Sequence, residues 1–266
     1  MLTARTFLVR GLLAGLIAGV VTFGVAYVIG EPPVDAAIAI EEAGSPAADS
    51  HDMADMAGMT QGEDHSHGDE AEVSRSTQST WGLATATILF GVALGGIAGL
   101  AAAFACGRLG RLSPRASCAV VAATGFVAIY LVPYLKYPPN PPAVGNPDTI
   151  GPRTAWYFGM LAVSVVVAVA AIVLARRLAP RLGSWHAGLA AGGGALAIVL
   201  ATAWLLPTVD EVPAGFPADL LWQFRMSSLA VQFTLWLVLG VALASLIGVV
   251  TDRAARAARP LASAAA

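Results

Sequence analysis

The sequence predicts an all-α integral membrane protein, with six transmembrane helices arranged as three hairpins and both ends in the cytoplasm. Three observations predict it. The first is composition: 57% of the 266 residues are hydrophobic and 12% are charged, where a soluble domain carries about 25% charge, and the mean hydropathy is +0.71. The second is a series of apolar runs long enough to cross a bilayer, which takes about 20 residues each. The third is the placement of the arginines, which alternates from one inter-run segment to the next.

The runs fall at Gly11–Ile29, Leu83–Cys106, Ala116–Leu135, Trp156–Ala175, Ala187–Leu206 and Leu229–Val250. The first follows Arg5 and Arg10, as a signal peptide would. It is longer than a usual signal core, and no small-x-small cleavage site directly follows Ile29, so it reads as a retained helix. Gly11, Gly15 and Gly19 share one face of it, and Gly91, Gly95 and Gly99 repeat the spacing in the second run. Glycine at every fourth position lets two membrane helices approach backbone to backbone, within a chain or between copies in an oligomer.

With the N-terminus inside, the inner segments hold Arg5, Arg10, Arg108, Arg111, Arg115, Arg176, Arg177, Arg181, Arg253, Arg256 and Arg259, eleven of the fifteen basic residues. The outer segments hold only Arg75, Lys136, Arg153 and Arg225, together with every acidic residue except Asp252. That alternation predicts a multi-pass membrane protein, and the Ala- and Gly-rich composition suggests a bacterial inner membrane. It divides into a cytoplasmic start and first helix (1–30), an acidic outer loop (31–80), five further helices (81–250) and a cytoplasmic tail (251–266).

Each outer loop opens with proline near an acidic residue: Glu31-Pro32-Pro33-Val34-Asp35, then Tyr137-Pro138-Pro139-Asn140 with Asp148 following, then Pro207-Thr208-Val209-Asp210-Glu211. Each returning helix begins near a tryptophan, Trp81, Trp156 or Trp222. Prolines that stop helices and an interfacial aromatic belt account for this pattern. A weak threefold repeat, of the kind transporters carry, is the sharper reading.

The first outer loop is the most informative segment for chemistry. It is polar and acidic, and holds His51, Met53, Met56 and Met59, then His65, His67 and Asp69. Imidazole and carboxylate bind divalent transition metals, and thioethers favour Cu⁺. Clustered in one loop, these residues are candidate ligands for capturing a metal ion. A solvated acidic linker is the plainer reading. A second candidate set, a negatively charged vestibule and transport path, is made of the carboxylates Glu31, Asp35, Asp148, Asp210, Glu211 and Asp219 with the amide Asn140. Cys106 and Cys118 flank the second inner loop and could take a soft ion on exit, or serve only in packing.

Enzymatic chemistry is not indicated. No charged residue lies in the central part of any run; Gln232, Thr124 and Ser164 are among the polar residues within them, and Tyr130 lies toward the outer half of its helix. The only lysine is Lys136, preceded by Leu135, so no phosphate-binding Gly-x-x-x-x-Gly-Lys-[Ser/Thr] loop exists. Transport would therefore draw on a partner ATPase, an ion gradient or the membrane potential. No nucleic-acid-binding feature or bound cofactor is expected, and the lipid bilayer is the principal partner.

Three segments resemble the CbtA family of predicted bacterial cobalt transporter subunits: Gly30-Glu31-Pro32-Pro33-Val34-Asp35-Ala36-Ala37-Ile38, Leu135 through Gly145, and Glu211 through Trp222. The resemblance covers most of the chain. It implies cobalt uptake for cobalamin biosynthesis, beside a small single-span, His-containing CbtB-like subunit. The family is often described with five spans, against the six runs counted here. The Met53–Met59 stretch is not a cobalt feature, so Ni²⁺ or Cu⁺ stand beside Co²⁺ as candidate ions. A non-transporting, membrane-anchored metal-binding or assembly protein is the alternative function.

Overall fold

The computed structural model describes residues 2–44, 74–110 and 112–263, and among them there are only helices and connecting turns, with no strand. Five helices are long and apolar enough to cross a membrane. We label them α1 (Ala4–Ala43), α2 (Arg75–Ala105), α3 (Pro114–Lys136), α4 (Pro147–Leu205) and α5 (Ala218–Ala257). In each, between 17% and 39% of the most apolar stretch is buried inside the protein. Most of the apolar surface therefore points outward, as it does when lipid is the solvent.

The tightest packing is between α1 and α2, which run antiparallel. Gly11 meets Gly95 and Gly99, Gly15 meets Gly91 and Gly95, and Gly19 meets Ile88. A Cβ on Gly95 would lie 2.7 Å from Gly15 Cα and 2.8 Å from its N, so only glycine permits this approach. The opposite face of α2 carries Leu89, Ile97 and Phe104, all exposed. Small residues inside and large ones outside invert the soluble pattern, because packing rather than water exclusion drives helix association in lipid.

α5 packs on both α1 and α3. It contributes Leu235, Trp236, Leu239, Leu243 and Ile247 to a buried cluster with Phe7, Leu94, Cys118 and Ala122. Gly125 gives the Trp236 ring its place: a Cβ there would fall 2.6 Å from Cη2. At the end of the bundle away from Glu31, Arg115 Nη2 pairs with Asp252 Oδ2 at 2.5 Å and ties α3 to α5. Cys118 is fully buried in the cluster, as packing alone would require, and Cys106 is half-buried.

Two features differ from the sequence expectation. The first run was expected to stop at the prolines after Ile29, yet α1 continues through Pro32 and Pro33. A π-helical turn at Ala26–Gly30 precedes them. Its wider winding gives room where a proline ring would strike the carbonyl four residues back. The same device recurs at Phe126–Leu131, directly before Val132-Pro133. A third π-turn, Gln78–Gly82, opens α2.

The second difference is that the fourth and fifth runs lie in one helical element, α4. It is broken at Gly183, which adopts φ 77° and ψ 157°, a conformation that suits glycine. Just beyond the end of α4, Pro207 O accepts a hydrogen bond from Tyr137 Oη at 2.8 Å. Glu211 Oε2 accepts one from Asn146 N at 2.9 Å. The chain leaving α4 thus lies beside the chain entering it.

Trp81, Trp156 and Trp222 are all exposed, consistent with a belt at the membrane surface.

Candidate functional site

A chamber of about 700 Å³ opens among all five helices at the end that carries Glu31. It is built around the irregular helical turns. Ala26 and Gly30 come from the first π-turn, Tyr130 from the one in α3, and Leu83 directly follows the one in α2. A π-turn displaces side chains from the regular ladder, and such turns concentrate at functional sites. Tyr130 and Tyr134, four residues apart, share one face of α3, and Tyr137 directly follows its last turn. All three line the chamber with Tyr157, Ser227, Ser228 and Gln232.

The chamber does not cross the bundle. Going inward, its lining ends at Gln232 on α5, Tyr130 on α3, Ala26 on α1 and Phe158 on α4. The next turn is filled by aromatic packing, with the Phe126 and Phe233 rings edge to face at 5.6 Å and Trp236 seated on Gly125. Beyond that lies the apolar cluster of the core.

Electrostatics at the chamber are set by three guanidiniums. Arg75 bridges Glu31 and Asp35, with its Nε donating to Asp35 Oδ1 at 2.9 Å and its Nη2 donating to Glu31. Arg153 Nη1 pairs with Glu211 Oε2 at 2.5 Å. Hydrogen bonds from Thr149 Oγ1 and Asn146 N–H, together with Arg153, hold the Glu211 carboxyl below the usual carboxylate range. This clamp is fully formed above that range and is lost only as the pH falls through the depressed value. Arg225 differs: it donates to Asn140 Oδ1 at 3.0 Å and to Pro139 O at 3.4 Å, both neutral acceptors.

The structure therefore divides the expected transport path. Glu31 and Asn140 line the chamber. Asp35 lies one turn beyond Glu31 and shares Arg75 with it. Glu211 is outside the lining but clamps the neighbouring loops through Arg153, a lining residue. Asp148, Asp210 and Asp219 are exposed and do not border the chamber. The seven residues are not gathered into one acidic vestibule. The candidate ligands His51, Met53, Met56, Met59, His65, His67 and Asp69 lie outside the described residues. Among the described residues, no three or more His, Cys, Asp or Glu side chains converge as a metal site.

Sequence reasoning missed the tyrosine face and Arg225. The four-and-three spacing of the tyrosines was the available signal. Arg225 stood out only as an exception to the inside bias of the arginines.

A family model described as a probable cobalt transporter subunit, CbtA, matches residues 4–248 of the chain. No curated protein and no solved structure matches it.

Proposed function

Because the chain belongs to the CbtA family of probable cobalt transporter subunits, we propose that it is the membrane subunit of a divalent transition-metal uptake system, with cobalt as the cargo. The chamber serves as its outer receiving site. The observation that carries this reading is the chamber itself, open at one end among five apolar helices and closed inward by Phe126, Phe233 and Trp236. A subunit that accepts cargo on one side and blocks it on the other has this form. The family description as a subunit implies a partner, and a CbtB-like single-span protein is the candidate.

In this reading the chain crosses the bacterial inner membrane six times, with both ends cytoplasmic. At 1.5 Å per residue, a straight α4 would reach about 88 Å, roughly three times the hydrocarbon thickness. Yet Pro207, just past its end, touches Tyr137, which precedes its start. A reversal at Gly183 reconciles the two, so α4 supplies two crossings joined by a turn beside Arg176, Arg177 and Arg181. Reporter fusions at Gly110, Gly183 and Ala266 should all read as cytoplasmic. A periplasmic signal at Ala266 alone would mean five crossings.

The His- and Met-containing outer loop acts as the metal-capturing arm, supported by its clustered ligands in the sequence. The test is radiolabelled cobalt uptake by cells with the chain, without it, and with residues 45–73 deleted. Loss of the whole chain should abolish uptake above background. Loss of the loop should raise the cobalt concentration needed for half-maximal uptake, while the saturating rate is kept. Equal uptake with and without the chain would favour the anchored binding or assembly role. A deletion that lowers the saturating rate alone would remove the loop from capture.

A further inference from the structure

We infer that the chamber receives its metal as an anionic chelate, a small polycarboxylate complex, and not as the bare ion. This rests on the chamber being the receiving site of a metal uptake system, and it adds the chemical form of the cargo.

The first support is charge. The charged residues lining the chamber are Glu31, Arg153 and Arg225. Arg75 is shared between Glu31 and Asp35, and Glu211 neutralises Arg153. Among the described residues, Arg225 has no carboxylate partner and is held only by Asn140 Oδ1 and Pro139 O. A guanidinium with no carboxylate partner at the wall suits a carboxylate on the ligand, which it binds through two parallel hydrogen bonds.

The second support is the donor set. A transition metal stripped of water needs several imidazole, thiolate or carboxylate ligands. The lining offers one carboxylate, already paired, and two side-chain amide oxygens, of which that of Asn140 already accepts from Arg225. What it offers instead are hydroxyls, those of Thr154, Tyr157 and Ser228 among them, which can donate to an acceptor-rich ligand.

The third support is size. Six waters around an ion occupy about 180 Å³ at roughly 30 Å³ each. The chamber holds about 700 Å³, within the range of small-molecule sites.

The test is radiolabelled cobalt uptake into right-side-out membrane vesicles carrying the full system. Free Co²⁺ is held constant while citrate is added, so that only the complex rises. Uptake should climb with the complex. In Arg225→Gln the ratio of complex-dependent to free-ion uptake should fall about tenfold, the loss expected for one charged hydrogen-bonding partner, and Arg225→Lys should recover part of it. A purely structural role for Arg225 would lower both forms together and leave the ratio unchanged, which would overturn the proposal. So would wild-type uptake that follows free Co²⁺ alone. If wild-type vesicles take up neither form beyond vesicles lacking the chain, the transport reading fails separately. Equilibrium dialysis of the purified full chain against labelled cobalt citrate then decides the chamber's ligand. Binding that weakens in Arg225→Gln sustains the inference, and no binding ends it.

Discussion

Gly95→Ala should destabilise the protein by about 3 kcal/mol, the upper end of the usual cost of overpacking, while Gly24→Ala should leave stability unchanged or raise it slightly. Both substitutions add one methyl group to a helix. At Gly95 the methyl would meet backbone: the Gly11 carbonyl oxygen, and Gly15 Cα at 2.7 Å. Backbone cannot rotate away as a side chain can, so α1 and α2 must separate along their whole glycine contact. At Gly24 nothing lies within 4 Å of the added atom, and alanine favours the helix over glycine. The measurement is the temperature at which each purified variant loses its monodisperse elution in detergent. Equal midpoints for the two variants would mean that the glycine contact does not hold α1 to α2.

Uptake should fall about tenfold in Glu31→Gln and in Glu211→Gln, and stay near wild type in Asp210→Asn and Asp219→Asn. The side chains of Glu31 and Glu211 are each only 14% exposed and each is paired with an arginine at the chamber mouth. Removing either charge takes one carboxylate from a guanidinium that ties neighbouring segments at the chamber mouth. The Glu211 change also frees Asn146 and Thr149, which that carboxylate holds against the start of α4. Asp210 and Asp219 are exposed, and exposed charges contribute little. The assay is cobalt uptake against concentration, normalised to protein in the membrane. Loss in the two Asp variants with the two Glu variants intact would move the path to the exposed loops.

Much of the fold was legible because membrane physics writes itself into composition. The six predicted runs fall, to within a residue, in the five long apolar helices, and the Gly11 and Gly91 series do meet face to face. Proline misled at Pro32 and Pro33, because a π-turn that tolerates proline leaves no clear mark in composition or spacing. Gly183 could not be read as a break within one helical element, since an isolated glycine looks the same in a loop or a kink.

The candidate site was legible only in part. Glu31 and Asn140 stood out as polar residues beside prolines, and both border the chamber. Which carboxylates are neutralised, and by which arginine, depends on contacts between residues as far apart as Glu31 and Arg75. No local pattern encodes them. For the same reason Arg225 and the tyrosine face surfaced only once α3, α4 and α5 were seen together.

The central claim is that cargo passes through the chamber, and one measurement tests it most directly. Ser228 lines the chamber. In Ser228→Cys, a bulky membrane-impermeant thiol reagent should reach the new side chain from outside and block cobalt uptake almost completely. Wild type should be unaffected, since Cys118 is buried and Cys106 sits at the opposite end of α2 from the chamber. Full labelling of the Ser228→Cys protein with uptake unchanged would contradict the account, because an occupied chamber would then be no obstacle to the cargo.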